Sequence, residues 1–192
     1  MLNTRASGVL MHLTSIPSRY GVGVMGDETK RFIDKIKGMG FSYWQVLPLN
    51  PPDFHGSPYT SDAAFAISHM FVSPDELVKA GFVSSEDIER SVYYGSPYTA
   101  DYEFAYSARL ELLRKAYSNA GEAVKAKAEK FANENEWCKS YSLFMAAKES
   151  FWYQVTESES KGINWATIVF IAGMMFFWVE EHGGADAVFA VG

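Results

Sequence analysis

Two short apolar segments decide the fold of this chain: ASGVLMHL at residues 6–13 and FSYWQVL at residues 41–47. Each is rich in aliphatic, aromatic or β-branched side chains and is followed within a few residues by proline or glycine, so each predicts a β-strand. Between them, residues 28–37 place apolar side chains at helical spacing, and Asp27 precedes them as a predicted N-cap. Strand, helix and strand with short connections predict a βαβ unit, and therefore an α/β fold with a parallel sheet.

Helical periodicity dominates the sequence after about residue 75. We predict helices at residues 74–80, 102–117, 121–131 and 135–149. Ser73 is the predicted N-cap of the first of these helices. Cys138 falls on the last one among aromatic residues, which predicts a buried core position.

The composition excludes several classes of protein. Hydrophobic residues make up 48% of the 192 residues, so the chain can build a core and is not disordered by composition. A net charge of −6 argues against a nucleic-acid partner. A single cysteine excludes an internal disulfide framework and a multi-cysteine zinc site. The first ten residues lack the apolar core of a secretory signal, which predicts a cytoplasmic protein.

Candidate binding residues follow the two predicted strands. Active sites of parallel α/β folds lie in the loops after the carboxyl ends of the strands. The first such loop begins near His12, and the second contains Phe54, Ser57 and Tyr59. Aromatic rings there could stack on sugar rings, and hydroxyls could bond to sugar hydroxyls. A packed loop aromatic at Tyr59 and a hydrogen-bonded structural histidine at His12 remain open alternatives.

Two further patterns carry less functional information. Gly21, Gly23 and Gly26 fit the dinucleotide-binding spacing, but they lie well after the strand and no acidic residue follows at the second strand end. Asp62 is a candidate acid, but glycoside chemistry needs two facing carboxylates and the sequence identifies no second one. The heptapeptide GSPYTSD at residues 56–62 is echoed by GSPYTAD at residues 95–101, and both copies predict turns.

Three motifs in order resemble one enzyme family. They are RASGVLMHLTSIP at residues 5–17, SYWQVLPL at residues 42–49, and SPYTS at residues 57–61 followed by AFA at residues 64–66. Together they resemble the N-terminal portion of the 4-α-glucanotransferases (amylomaltase or disproportionating enzyme, glycoside hydrolase family 77). The likeness covers about residues 5–150 and departs from the family pattern at Leu13 and at residues 67–69.

The resemblance implies a (β/α)8 TIM barrel with a helical insertion. Residues 1–80 would hold the first strands, the helix and a substrate loop, residues 81–150 the insertion, and residues 151–192 a divergent apolar tail. The implied reaction transfers 1,4-α-glucan segments between maltodextrins by a retaining mechanism, without metal or organic cofactor. The implied partner is maltodextrin or another 1,4-α-glucan. The implied substrate-binding residues are Ser57, Tyr59, Phe54 and His12.

The family's catalytic carboxylates lie in downstream motifs that read DHF, EDLG and HD, and none of these occurs in the 192 residues. We therefore expect no catalytic residue in this chain and an inactive isolated chain. Three explanations remain for the uncharged stretch at residues 163–179: a truncated or frame-shifted product, a diverged family helix, or a membrane anchor. The length of that stretch and the acids Glu180 and Glu181 argue against an anchor. The alternative functions are a non-catalytic glucan-binding fragment and a membrane-tethered remnant.

Overall fold

The computed structural model describes residues 5–53, 56–96 and 98–156, with the backbone alone from residue 149 onwards. The elements of this part of the chain are strands β1 (Gly8–Leu10) and β2 (Tyr43–Gln45), with helices α1 (Asp27–Gly38), α2 (Pro74–Lys79), α3 (Ser85–Ile88), α4 (Tyr102–Asn119), α5 (Glu122–Glu134) and α6 (Glu136–Thr156). Short 3-10 turns occur at Leu13–Ser15, His69–Phe71 and Glu89–Ser91.

Strands β1 and β2 pair in parallel, which confirms the predicted βαβ order. Val9 lies opposite Trp44 in the register. The ladder continues at one end, where the Met11 amide donates to the Gln45 carbonyl at 3.0 Å. The Trp44 indole Nε1 donates to the Met11 carbonyl at 2.8 Å and so fixes a buried ring against the sheet.

Both strands are three residues long and thus shorter than predicted. The first is cut short because the chain enters the 3-10 turn at Leu13–Ser15. The second starts late because the Phe41 amide bonds back to the Ile36 carbonyl of α1, so residue 41 completes the helix end. Periodicity alone does not report these local hydrogen bonds.

The predicted N-cap of α1 is wrong by one residue. Gly26 occupies the N-cap position, and Asp27 is the first helical residue. The Asp27 carboxylate instead accepts a hydrogen bond from Lys79 Nζ on α2 at 2.8 Å. This contact lowers the pKa of Asp27 and ties the start of α1 to the end of α2.

The remaining helices agree with the sequence, apart from one that it did not predict. The Ser73 hydroxyl accepts from the Glu76 amide, as expected for the N-cap of α2. Helices α4, α5 and α6 form where predicted, although each ends further along the chain. Helix α3 was not predicted, but Ser84 and Asp87 form a reciprocal capping box at its start, which is a local signal that the sequence contains.

Residues 20–26, which precede α1, are buried throughout. Gly21 has a φ of +82°, a conformation that favours glycine. A Cβ on Gly23 would lie 2.0 Å from the Leu13 carbonyl oxygen. These glycines therefore allow close backbone packing, which accounts for the dinucleotide-like spacing.

The core lies where α4 covers the turn at His69–Phe71 and the buried segment 20–26. Phe71, Leu77 and Leu113 are among its fully buried side chains. Cys138 is buried as predicted, and burial raises the pKa of its thiol to about 11. Among the described residues, no helix combines the length and apolar character that crossing a bilayer requires. The stretch at residues 163–179 lies outside the described residues.

Arg109 is the largest fully buried side chain among the described residues. Its guanidinium lies 5.2 Å from the centre of the Tyr20 ring, and its Nε donates to the Met70 carbonyl at 3.4 Å. Burial lowers the pKa of Arg109 to about 10. The positive charge therefore sits inside the α4 interface, close to His69.

Candidate functional site

The two loops predicted to carry the site begin at the same edge of the sheet. His12 follows β1, and residues 46–66 follow β2. Because β1 and β2 are parallel, their carboxyl ends point the same way. The loops after β1 and β2 therefore begin at the same edge of the sheet, as the strand order predicts.

His12 is half-buried at this edge. Its ring meets Phe71 edge-on, with ring centroids 5.8 Å apart. Its Nδ1 is buried and has no hydrogen-bond partner among the described residues. Burial lowers the pKa of His12, so the ring is neutral near pH 7. The alternative of a hydrogen-bonded structural histidine finds no support at Nδ1.

Asp53 organises the turn at residues 53–60. Its Oδ1 accepts from the Ser57 amide at 2.9 Å, and its Oδ2 accepts from the Thr60 hydroxyl at 2.6 Å. Its backbone carbonyl accepts from the Gly56 amide at 2.9 Å. Sequence reasoning overlooked Asp53, although an aspartate ahead of a Gly-Ser-Pro turn is a known turn signal. One carboxylate thus bonds to the Ser57 backbone and to the Thr60 side chain, on either side of Tyr59.

Ser57 and Tyr59 lie at the outer end of this turn. The Ser57 hydroxyl accepts from the Tyr59 amide at 3.4 Å. Tyr59 is 70% exposed, so its ring is not packed against the described part of the chain. Phe54, the third predicted residue of this loop, lies outside the described residues. The structure thus presents a bare aromatic ring on a turn held by its own hydrogen bonds.

Tyr102 joins the two loops. Its hydroxyl lies 3.1 Å from the Thr14 hydroxyl in the loop after β1. Its ring packs under Gly56, where an added Cβ would lie 2.8 Å from a ring carbon. Gly56 has a φ of +81°, so this approach uses the backbone freedom of glycine. Sequence reasoning missed Tyr102 because the contact spans elements far apart in the chain.

Asp62, the candidate acid, has a structural partner. Its carboxylate pairs with Lys148 Nζ on α6. Both side chains are about half exposed. Across the described part of the chain, no group of three or more His, Cys, Asp or Glu side chains is arranged to hold a metal ion.

The chain is similar in sequence to one enzyme family. The family profile described as 4-alpha-glucanotransferase matches residues 11–166. The 4-alpha-glucanotransferase of Aquifex aeolicus is 39% identical over 159 residues, which cover 80% of this chain and 32% of the relative. That of Streptococcus pneumoniae is 38% identical over 152 residues, covering 78% of this chain and 30% of the relative. The chain thus spans about a third of the length of these curated relatives.

The fold of this chain is also similar to that of a solved amylomaltase structure. The amylomaltase from Streptococcus agalactiae in complex with acarbose superposes with a TM-score of 0.77 and is 29% identical. The match covers 93% of this chain and 39% of the amylomaltase chain. The turn that carries Tyr59 therefore lies within residues 11–166, the part of the chain that matches the family profile.

Proposed function

Because this chain belongs to the 4-alpha-glucanotransferase family, we propose that it carries a glucan-binding part of such an enzyme, with Tyr59 and Ser57 as its main contacts. The observation that carries this proposal is the exposure of the Tyr59 ring on a turn fixed by Asp53 at the carboxyl edge of the sheet. His12 lies at the same edge, on the neighbouring loop. Phe54 is proposed as a fourth contact from its place in the sequence alone.

The chemistry of the turn suits a neutral sugar polymer. A sugar ring has an apolar face that packs on an aromatic ring and a rim of hydroxyls that need hydrogen-bond partners. Tyr59 offers both an aromatic face and a phenolic hydroxyl. Asp53 holds the turn through the Ser57 amide and the Thr60 hydroxyl, and such preorganisation lowers the cost of binding.

The transfer of glucan segments by a retaining mechanism needs groups beyond the described residues. A retaining transfer uses one carboxylate as nucleophile and a second as general acid and base, about 5–5.5 Å apart. The three family motifs that hold such carboxylates are missing from the 192 residues, and Asp62 is paired with Lys148. We therefore propose that this chain contributes binding groups and that it does not transfer glucan by itself.

The architecture proposed for the complete fold is a (β/α)8 barrel. Strands β1 and β2 would be two of its parallel strands, and residues 81–150 would form the helical insertion. The parallel pairing and the likeness to amylomaltase support this proposal. The cytoplasmic location and the divergent tail at residues 151–192 remain predictions from the sequence.

Two assays on the purified full chain test the proposed function. Titration calorimetry with maltoheptaose should show saturable binding, and incubation with maltotriose should release no glucose. A chain that binds no maltoheptaose would overturn the assignment of glucan binding. A chain that releases glucose at a rate above that of the heat-inactivated sample would show that catalytic groups are present after all.

A further inference from the structure

Helix α6 presents one face to the loop that carries Tyr59. Trp137, Tyr141, Phe144 and Lys148 follow each other at intervals of four, three and four residues, so they share one side of the helix. We call these four residues the α6 face. The α6 face is held from below by α5, because Phe131 meets Trp137 edge-on with ring centroids 6.3 Å apart.

Two side chains of the α6 face contact the segment at residues 61–66. Lys148 forms the ion pair with Asp62, and Trp137 lies 6.4 Å from the Phe65 ring. Burial raises the pKa of Tyr141, with smaller contributions from Tyr106 and from Asp62. The segment therefore has contacts along much of this face of the helix.

The segment at residues 61–66 forms neither helix nor strand. On its inner side, the Asn50 side-chain amide donates to the Ala63 carbonyl at 2.5 Å, and Ala66 is buried. On its outer side, Phe65 is mostly exposed, so the contact with Trp137 covers little of its ring. The Asp62–Lys148 pair is thus the main polar contact described between this segment and α6.

We propose that the Asp62–Lys148 pair is a positioning contact for glucan binding, through which α6 sets the direction of the Tyr59 ring. The inference rests on the proposed function. Asp62 lies three residues after Tyr59, and Asp53 anchors the turn on the other side. The turn is therefore held at both ends by carboxylates. Asp53 bonds within the turn, and Asp62 pairs with Lys148 of α6, which lies 86 residues further along the chain.

An unusual salt dependence follows from this arrangement. Stacking and neutral hydrogen bonds to an uncharged glucan should respond little to salt. A half-exposed ion pair is screened by salt, so its hold on the turn weakens as ionic strength rises. We expect the affinity for uncharged maltoheptaose to fall with salt in the wild-type chain, and this dependence to disappear when the pair is removed.

The experiment uses the full chain and four variants: Asp62→Asn, Lys148→Met, the charge reversal Asp62→Lys with Lys148→Asp, and the control Lys139→Met. Lys139 is exposed on the same helix and leaves the pair intact. Hydrogen exchange of residues 57–66 reports positioning, and calorimetry with maltoheptaose at low and high salt reports binding. We expect faster exchange and an affinity about twofold lower in each single variant of the pair. We expect recovery in the charge reversal and no change in the control.

Distinct results separate the two claims. If Lys148→Met matches Lys139→Met in exchange and in affinity while the wild type binds maltoheptaose, the positioning role is wrong and the proposed function stands. If the wild type binds no maltoheptaose, the proposed function fails and this inference fails with it. If Lys148→Met weakens binding and the charge reversal does not recover it, a general packing role of Lys148 replaces the ion pair.

Discussion

Two turns with almost the same sequence lie in different surroundings in this protein. They are GSPYTSD at residues 56–62 and GSPYTAD at residues 95–101. In each, the serine hydroxyl accepts the amide of the tyrosine two residues on, at 3.4 Å in the first and 3.3 Å in the second. Tyr59 and Tyr98 are both exposed, at 70% and 90%. Both copies of the heptapeptide therefore form the same local hydrogen bond and expose their tyrosine.

The last residue of the two turns has different roles. Asp62 pairs with Lys148 on α6, whereas Asp101 accepts from the Phe104 amide at 2.9 Å and caps α4. The first residue differs too, because Gly56 has a left-handed backbone and Gly95 does not. Identical residues thus acquire their roles from the elements beside them, and the first turn alone follows a strand at the candidate site.

The largest effect on the free energy of unfolding is expected at His69. This residue follows the first turn and bonds to α4, the helix that follows the second turn. Its neutral ring donates from Nε2 to the Tyr106 carbonyl at 3.3 Å. Burial, with the charge of Arg109, lowers its pKa to about 4. The unfolded chain, with an ordinary pKa near 6.5, binds the proton first on acidification. Stability should therefore be present above about pH 6.5 and fall by up to about 3 kcal/mol on approaching pH 4.

Urea unfolding at several pH values checks this prediction against His69→Gln, which keeps a hydrogen-bond donor. Carboxylates titrate in both proteins, so the difference between the two curves isolates His69. We expect that difference to change steadily between pH 6.5 and pH 4. Parallel curves across this range would contradict the assigned burial of a neutral imidazole.

The next largest effect is expected at Gly56. Gly56→Ala forces a left-handed alanine and drives its Cβ into the Tyr102 ring, so we expect a loss of about 2–3 kcal/mol in the free energy of unfolding. Gly81→Ala is the matched control, since Gly81 also has positive φ but has no atom within 4 Å of the added Cβ. It should lose only about 1 kcal/mol. Equal losses in urea unfolding would show that the Tyr102 contact does not constrain the first turn.

A smaller effect should separate the two aspartates. Asp101→Ala removes a helix cap and should cost about 1 kcal/mol, whereas Asp101→Asn should preserve the cap. Asp62→Ala breaks a half-exposed ion pair and should cost less than about 0.5 kcal/mol. Thermal unfolding of the three variants measures the difference. A larger loss for Asp62→Ala than for Asp101→Ala would reverse the roles assigned to the two turns.

The predictable part of the fold is the part that local patterns encode. The strands β1 and β2 were predicted from apolar runs, and the N-cap of α2 was predicted from Ser73. Both predictions were possible because each signal involves residues close in sequence. The burial of residues 20–26 was not predictable, since it depends on contacts with α4 and with the turn at residues 69–71. The N-cap of α1 was misplaced for a similar reason, as Asp27 is engaged by Lys79 of another helix.

The candidate site shows the same division. Ser57 and Tyr59 were found from a short motif after a strand, and the exposure of Tyr59 is compatible with their predicted use. Asp53 could have been found from its place before the turn. Tyr102 could not, because its contact with Gly56 crosses more than forty residues and exists only in the folded chain.

One measurement tests the central claim most directly: the affinity for maltoheptaose of Tyr59→Ala compared with Tyr98→Ala. The two tyrosines share their local sequence, hydrogen bond and exposure, so each controls for the loss of an exposed ring. We predict that Tyr59→Ala weakens binding about tenfold, while Tyr98→Ala binds as the wild type does. Equal affinities for both variants would contradict the assignment of the first turn as the glucan-binding one.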